Sequence, residues 1–297
     1  MKLTNFNAFG GLLAAFLCLN SAISLAAQSS IQTEKVTDNI YMLTGPGGNV
    51  GLFVGEDANF LVDDKYEAQG SDILNAVAEV TDQPIDYLIN THWHGDHTGS
   101  NHVIGETGAT IVAHDNVRTL LASGSKIEMF DAVIKPQPKE GLPEITFAEK
   151  LSFHANGEVI HVQHYAHAHT DGDAVLYFEK ANVVVTGDLF FNGFYPFIDS
   201  EHGGRLKGVI DGVEKILART DADTVIVPGH GPLASIEDLQ AYKAMLEATV
   251  AAIEPLKQQG LSLAQVIAKK PTQALDGQWG NGPFKPEAWV KFAYHAL

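Results

Sequence analysis

The chain has 297 residues, 45% of them hydrophobic and 19% charged, which supports one large or two medium domains with a sizeable core and argues against extended disorder. A formal net charge of -17 disfavours a nucleic-acid partner, because such a surface repels phosphates. Cys18 is the only cysteine, so no intramolecular disulfide is available.

Residues 1–26 read as a signal peptide: Lys2 supplies a positive start, "AFGGLLAAFLCL" an apolar segment and "SAISLAA" a small-residue region with Ser24 and Ala26 at the two small positions. The apolar run is too short to span a bilayer comfortably and no charged stop-transfer pattern follows it. Bulky Leu17 spoils a lipoprotein-type site at Cys18. The expectation is a periplasmic or secreted protein without stable membrane insertion after cleavage, with residues 27–297 forming a single catalytic domain. Cleavage would also remove Cys18, so any metal site in the mature chain must use nitrogen and oxygen.

Short apolar runs separated by turns come next, and "NIYMLTG", "GLFVG" and "NFLVDD" predict a meander of strands. "SDILNAVAEV" has helical spacing, with Ser71 or Asp72 as the expected N-cap. Apolar "YLIN" runs straight into "THWHGDHTGSNH"; "ATIVAH" then reads as a strand and "DNVRTLLASG" as a helix closed by Gly124. "IKPQPKEGLPE", rich in Pro and Gly, predicts a surface loop. "LSFHA" and "EVIHVQHY" flank Asn156-Gly157, the strongest short hairpin signal in the chain, and "AVLYFEKANVVVTGD" predicts a second hairpin. A helix over "LKGVIDGVEKILART", a strand ending in a loop at "TVIVPGHG" and a long helix over "SIEDLQAYKAMLEATVAAIEPLKQQ" follow. Such alternation predicts a layered α/β fold with sheets inside and helices outside.

Residues 91–102 hold four of the thirteen histidines. Buried imidazoles cost desolvation and repel one another when protonated, and a metal ion resolves both problems by taking the neutral nitrogen. Four segments share one feature, an apolar strand-like run followed at once by metal-capable residues. "YLIN" leads to His92, His94, Asp96 and His97, "VIHVQHYA" to His169, "NVVVTG" to Asp188 and "TVIVPG" to His230. Strand ends in a layered sheet gather at one edge, so these seven residues are expected in one cleft. In an extended segment His92 and His94 point the same way and reach one ion, while Asp96 and His97 sit in the turn beyond and face a neighbouring one.

At this point the chain resembles the metallo-β-lactamase fold superfamily. "THWHGDHTG" matches its HxHxDH signature, "HAHTDGD" its later histidine segment, "TGDLF" its bridging aspartate and "PGHG" its last ligand histidine. The resemblance implies a four-layer αβ/βα sandwich of two mixed sheets with helices outside. It also implies two metal sites: His92, His94 and His169 for the first, and Asp96, His97 and His230 for the second, with Asp188 bridging. Two Zn2+ ions are expected, and iron or manganese would also accept this donor set. Asp63 resembles the family's aspartate that steadies a ligand. His164 and His167 compete with His169 for the third position, and the "HTxGD" context favours His169. His167 shares its strand parity and is a candidate support or substrate group, whereas His164 points the other way and reads as structural. His102, His114, His154, His161 and His202 have no ligand context.

Two divalent ions a few ångströms apart can share a water and lower its pKa toward neutrality. The implied function is hydrolysis of an acyl bond (lactam, lactone, ester or thioester) of a small-molecule substrate in the cell envelope, with Asp96 orienting the nucleophile. No GxSxG motif offers a competing serine. True β-lactamases of the superfamily usually carry cysteine or serine where this chain has Asp188; an aspartate there is the pattern of thioesterases, lactonases and many other hydrolases. The alternative is an iron-dependent persulfide dioxygenase, which uses only part of the ligand set. "FFNGFYPFID" is expected to wall the substrate pocket with aromatics, with Asn192 or Tyr195 donating to a developing oxyanion. Trp93 either lines the pocket or props the loop, and Trp279, Phe284 and Trp289 predict packing of the C-terminal segment.

Overall fold

The computed structural model describes residues 31–297, and the expected signal segment 1–26 lies outside the described residues. The first half runs β1 (Gln32–Lys35), β2 (Ile40–Thr44), β3 (Val50–Phe53), β4 (Phe60–Val62), α1 (Gly70–Ala78), β5 (Tyr87–Ile89), α2 (Gly95–Thr98), α3 (Asn101–Gly105), β6 (Thr110–His114), α4 (Asp115–Ser123), β7 (Ser125–Ile127), β8 (Ala132–Ile134) and β9 (Ile145–Phe147). The second continues with β10 (Lys150–Ala155), β11 (Glu158–Tyr165), β12 (Asp173–Phe178), β13 (Val183–Val185), α5 (Leu206–Leu217), β14 (Val225–Val227), α6 (Ile236–Gln258), α7 (Leu263–Ala268), α8 (Asp276–Trp279) and α9 (Pro286–Ala296). One mixed sheet has the order β1-β2-β3-β4-β5-β6-β9, antiparallel as far as β4 and parallel beyond. The other has the order β10-β11-β12-β13-β14, with only its last pair parallel.

Alternation of side chains along the strands decides the layering. Val62, Ile89 and Val112 from the first sheet meet Val162, Leu176, Val185 and Val227 from the second in a buried layer between the sheets. Their neighbours Leu61, Leu88 and Ile111 point outward onto Ile73 and Val77 of α1 and Ile104 of α3. On the far side Val175, Tyr177, Val184 and Ile226 cover Val209 and Val213 of α5 and Leu239 and Leu246 of α6. The result is the expected four-layer sandwich, helix, sheet, sheet, helix. Among the described residues no helix is long and apolar enough to cross a membrane.

Local chemistry matches most of the predicted elements. β10 and β11 close through Asn156 at φ 55° and Gly157 at φ 69°, the left-handed pair that a two-residue hairpin turn requires. Ser235 caps α6 with a reciprocal capping box to Asp238. One N-cap differs: α1 begins at Gly70 behind a short 3-10 turn over Glu67–Gln69. Ser71 and Asp72 therefore lie inside the first helical turn, because that preceding turn already delivers the chain into helix. The β7–β8 hairpin had no periodic signature and emerges only in the structure.

Candidate metal centre

The C-terminal ends of β4, β5, β11, β13 and β14 deliver Asp63, His92, His169, Asp188 and His230 to one edge of the sandwich. After β5 the chain passes His92 and His94 and turns into α2, a single helical turn that carries Asp96 and His97. Donor atoms of His92, His94, His169 and Asp188 all lie within 4.8 Å of one another, as do those of Asp96, His97 and His230. All seven predicted residues thus converge in two adjoining groups.

Asp188 joins the groups by dividing its oxygens. Oδ2 faces His169 Nε2 at 3.5 Å and His92 Nε2 at 3.7 Å, while Oδ1 faces His97 Nε2 at 3.0 Å and His230 Nε2 at 3.4 Å. In the first group His94 Nδ1 lies 2.9 Å from His169 Nε2. In the second, Asp96 Oδ2 lies 3.3 Å from His230 Nε2.

The outward nitrogen of four histidines is engaged, which aims the other one inward. His97 Nδ1 donates to Asp63 Oδ2 at 2.8 Å. Thr91 donates its N and Oγ1 to the two oxygens of Asp63 at 2.7 Å each, leaving that hydroxyl oxygen to accept from His92 Nδ1 at 3.0 Å. His169 Nδ1 donates to the Phe197 carbonyl at 2.9 Å. His94 is turned the other way round: its Nε2 donates to Asp199 Oδ2 at 2.9 Å, so Nδ1 looks into the group. His92 Nε2 is buried with no hydrogen-bond partner, an orphan that an imidazole lone pair facing a cation explains.

The titration pattern reports the same field. Burial pushes His92 well below the usual imidazole range and lowers His169 to about 4, so both nitrogens are free lone pairs at neutral pH. Burial also opposes charge on His97 and His230, yet Asp188 and Asp96 outweigh it, raising His97 well above its ordinary value and His230 to about 9. Asp96 falls to about 2 and Asp188 well below the carboxylate range, because the surrounding imidazoles overcome the burial that would raise them. Carboxylates that draw protons onto two imidazoles will draw divalent cations in their place, so the donor set fits a metal pair.

Two glycines permit this closeness. A Cβ on Gly48 would fall 2.1 Å from His97 Cε1, and one on Gly229 would fall 2.2 Å from Asp188 Oδ1.

The group opens into a cleft of about 1410 Å³ whose walls include Tyr66, Phe130, Val133, Phe191, Phe194, Phe197 and Phe284. The aromatic loop after Asp188 does wall this cleft, but not with the two polar candidates. Tyr195 is fully buried, stacks on Trp289 and donates its hydroxyl to Asp276 Oδ1 at 2.9 Å. Asn192 spends its amide on the carbonyls of Pro232 and Leu233 at 3.1 and 3.3 Å. Both hold the loop in place and neither serves as the oxyanion donor expected of it. His167 turns outward at φ 54° and hydrogen-bonds the Gly203 carbonyl, away from the group. His164 is structural as expected, stacked 3.7 Å from His114. Trp93 is buried beneath His94 and His202, propping the loop. Trp279 and Trp289 pack, whereas Phe284 lines the cleft.

Three contributors escaped the sequence. Asp199 has only a histidine three positions on as its signal; His202 Nδ1 donates to the same Oδ2 that His94 uses, at 2.7 Å. Tyr66 follows the strand-end aspartates at β4 and is the phenol that does face the cleft, 48% exposed. Phe130 stands on the β7–β8 hairpin, which nothing periodic announced.

The profile of the metallo-beta-lactamase superfamily matches residues 43–230, a span that contains all seven residues. A probable metallo-hydrolase of Methanocaldococcus jannaschii is 28% identical over 196 residues, which is 64% of this chain and 90% of that protein. A hydroxyacylglutathione hydrolase of a Polaromonas species is 28% identical over 180 residues, covering 58% of this chain and 61% of its own length. Among solved structures, a metallo-β-lactamase from Pontibacter korlensis superposes with a TM-score of 0.62 at 19% identity, covering 73% of this chain and 99% of that one. The metallo-β-lactamase DIM-1 gives 0.59 at 18% identity over 73% of this chain and 97% of its own. At such identities the structural likeness concerns the fold.

Proposed function

This chain belongs to the metallo-β-lactamase superfamily, and we propose that it is a two-zinc hydrolase that cleaves a carboxylic acyl bond (lactam, lactone, ester or thioester) of a small molecule in the cell envelope. The observation that carries this reading is the division of Asp188, one oxygen toward His92 and His169 and the other toward His97 and His230. His92, His94 and His169 would hold one ion and Asp96, His97 and His230 the other, a nitrogen-and-oxygen set that suits zinc. Bound there, such a pair supplies a water of lowered pKa and polarises the scissile carbonyl.

The chain's own residues do the rest. Asp96 is ionised at neutral pH and reaches the cleft, so its carboxylate accepts a hydrogen bond from the attacking water and orients it. Burial, with Asp96 and Asp188 adding to it, keeps the Tyr66 phenol protonated, ready to donate to the oxygen that gains charge. Asp63 and Asp199 hold the tautomers of His97 and His94. Phe191, stacked 4.9 Å from His230, shields that side from bulk water.

The envelope location rests on the export signal read in residues 1–26. The test is metal analysis of the mature protein paired with turnover of a β-lactam, a lactone, a thioester and a phosphodiester in the same preparation. About two zincs per chain with turnover of an acyl substrate supports the reading. A single iron with no hydrolysis overturns it in favour of the dioxygenase.

A further inference from the structure

The cleft has unlike sides. Around the second group stand Tyr66, Glu67 and His102, the last two 3.8 Å apart, next to Asp96. The second group also has Phe191 stacked on His230, but around the first the phenylalanines form a continuous surface. Phe197 touches two of the first-group histidines, with ring centroids 5.7 Å from His94 and 5.9 Å from His169. From Phe197 the apolar surface continues to Phe130 at 4.8 Å and Phe284 at 6.4 Å, and Phe130 lies 6.1 Å from Phe284.

These rings come from three unconnected parts of the chain, and Phe284 lies beyond residue 230, where the superfamily match ends. Each part is tied down. Ser125 Oγ meets His202 Nε2 at 2.8 Å and Glu201 accepts from Glu128 N at 2.8 Å, so the β7–β8 hairpin is fastened to the turn that follows Asp199. The C-terminal segment is pressed so close that a Cβ on Gly282 would lie 2.4 Å from Phe194 Cβ. Yet Phe130 is 45% exposed and Val133, beside it, 71%. A preorganised wall that leaves apolar rings facing an open cleft beside a hydrolytic centre is a binding surface. Phe130, Val133, Phe197 and Phe284 present no charged group, and the single lysine of the cleft lining is Lys135, so the wall is matched to an uncharged group.

Polarity sets the orientation. The leaving heteroatom takes up the proton that the attacking water gives to Asp96 as the bond to the acyl carbon breaks, so it lies on the Asp96 side; the acyl group then lies toward His94, His169 and the phenylalanines. We infer that the substrate is an ester, lactone or thioester whose acyl arm is bulky, apolar and uncharged, a medium-length alkyl chain or an aromatic ring, seated on Phe130, Phe197 and Phe284. This rests on the hydrolase reading above, and the experiment separates the two.

Zinc-loaded protein is assayed with acetyl, butyryl, hexanoyl and octanoyl thioesters of one uncharged thiol, and binding of the matching free carboxylates is measured by calorimetry. kcat/KM and carboxylate affinity rise with chain length toward a ceiling of roughly fourfold per methylene, the factor that burying one CH2 provides. In Phe130→Ala and Phe284→Ala the rise flattens, with about tenfold lost for the octanoyl compound in each. Phe130 sits at an exposed hairpin tip, so its truncation tests the wall without burdening the core. Turnover that ignores chain length, or a rise unchanged in both variants, overturns the inference. Graded carboxylate binding that the variants abolish, without turnover of any acyl compound, keeps the wall and removes the hydrolase. Neither turnover nor graded binding removes both.

Discussion

Replacing Asp63 by Asn separates the geometry of the metal centre from its charge. Asp63 is buried and accepts three hydrogen bonds, from Thr91 N, Thr91 Oγ1 and His97 Nδ1, at 2.7, 2.7 and 2.8 Å. Its φ of 63° lies in the left-handed region, which Asn tolerates well, so the backbone has no reason to move. An amide offers one acceptor oxygen where the carboxylate offered two. If that oxygen stays with Thr91 N, the NH2 points at both Thr91 Oγ1 and His97 Nδ1. The hydroxyl can rotate; the imidazole can answer only by moving its proton from Nδ1 to Nε2. That proton then points into the second group, where a lone pair is needed. Losing one charge-assisted bond and straining another costs about 2–3 kcal/mol of stability, or roughly 4–12 °C in Tm for a chain of this size. The larger effect falls on the metal: affinity at the second group should drop about 10–100-fold, with the first group largely retained. Competition against a graded series of chelators, followed by metal analysis, reads both occupancies. Two zincs held in Asp63→Asn with wild-type affinity would refute the argument that Asp63 acts by fixing the His97 tautomer.

Other perturbations address separate links. In Gly48→Ala the new methyl meets the His97 ring, so either the 45–49 loop or the imidazole shifts; the expected outcome is about one zinc per chain and activity reduced by about 10²-fold or more, and a variant with both metals and full activity rules it out. Tyr66→Phe should lower kcat by about 10²-fold with KM nearly unchanged if the phenol donates to the transition state; an unaltered kcat removes that role. Metal removal should reshape the pH dependence of stability. Burial holds His169 at about 4, below its unfolded value near 6.5, so its contribution is complete above about pH 6.5 and is lost as the pH falls through 4. His230, lifted to about 9 by Asp188 and Asp96 against burial, contributes fully below about pH 6.5 and loses that contribution as the pH rises through 9. The metal-free protein should therefore be most stable near pH 6.5, while zinc, which requires neutral His230, should erase the alkaline decline. Melting temperatures across this range with and without chelator check it, and an alkaline decline that persists in the zinc form counts against His230 as a ligand.

Where the reading from sequence succeeded, the information was local. A histidine two residues from another, a glycine that lets the chain turn, and apolar runs before each of four segments are properties of neighbours in the chain. Asn156-Gly157 announces its hairpin because those two residues alone suit the turn. Asn192 and Tyr195 failed as oxyanion donors for the opposite reason. Their side chains are polar in an aromatic loop next to the bridge, and sequence proximity says nothing about which way a residue on an irregular loop points. Asn192 was taken by the carbonyls of Pro232 and Leu233, some forty positions away, and Tyr195 by Asp276, some eighty.

The layered α/β class and the arrival of metal-capable residues at strand ends were legible in the sequence, because hydrophobic period and side-chain type are written residue by residue, and the family resemblance singled out His169 among its neighbours. How those donors share the space is set by tertiary contacts: Asp188 turns one oxygen to each group, His94 binds Asp199 through Nε2 and so presents Nδ1, and Tyr66 rather than Tyr195 faces the cleft. Tertiary packing alone brought Phe130, Phe197 and Phe284 into one wall. These are contacts between residues from 19 to more than 150 positions apart, and which nitrogen or oxygen faces inward depends on a partner that no local pattern names.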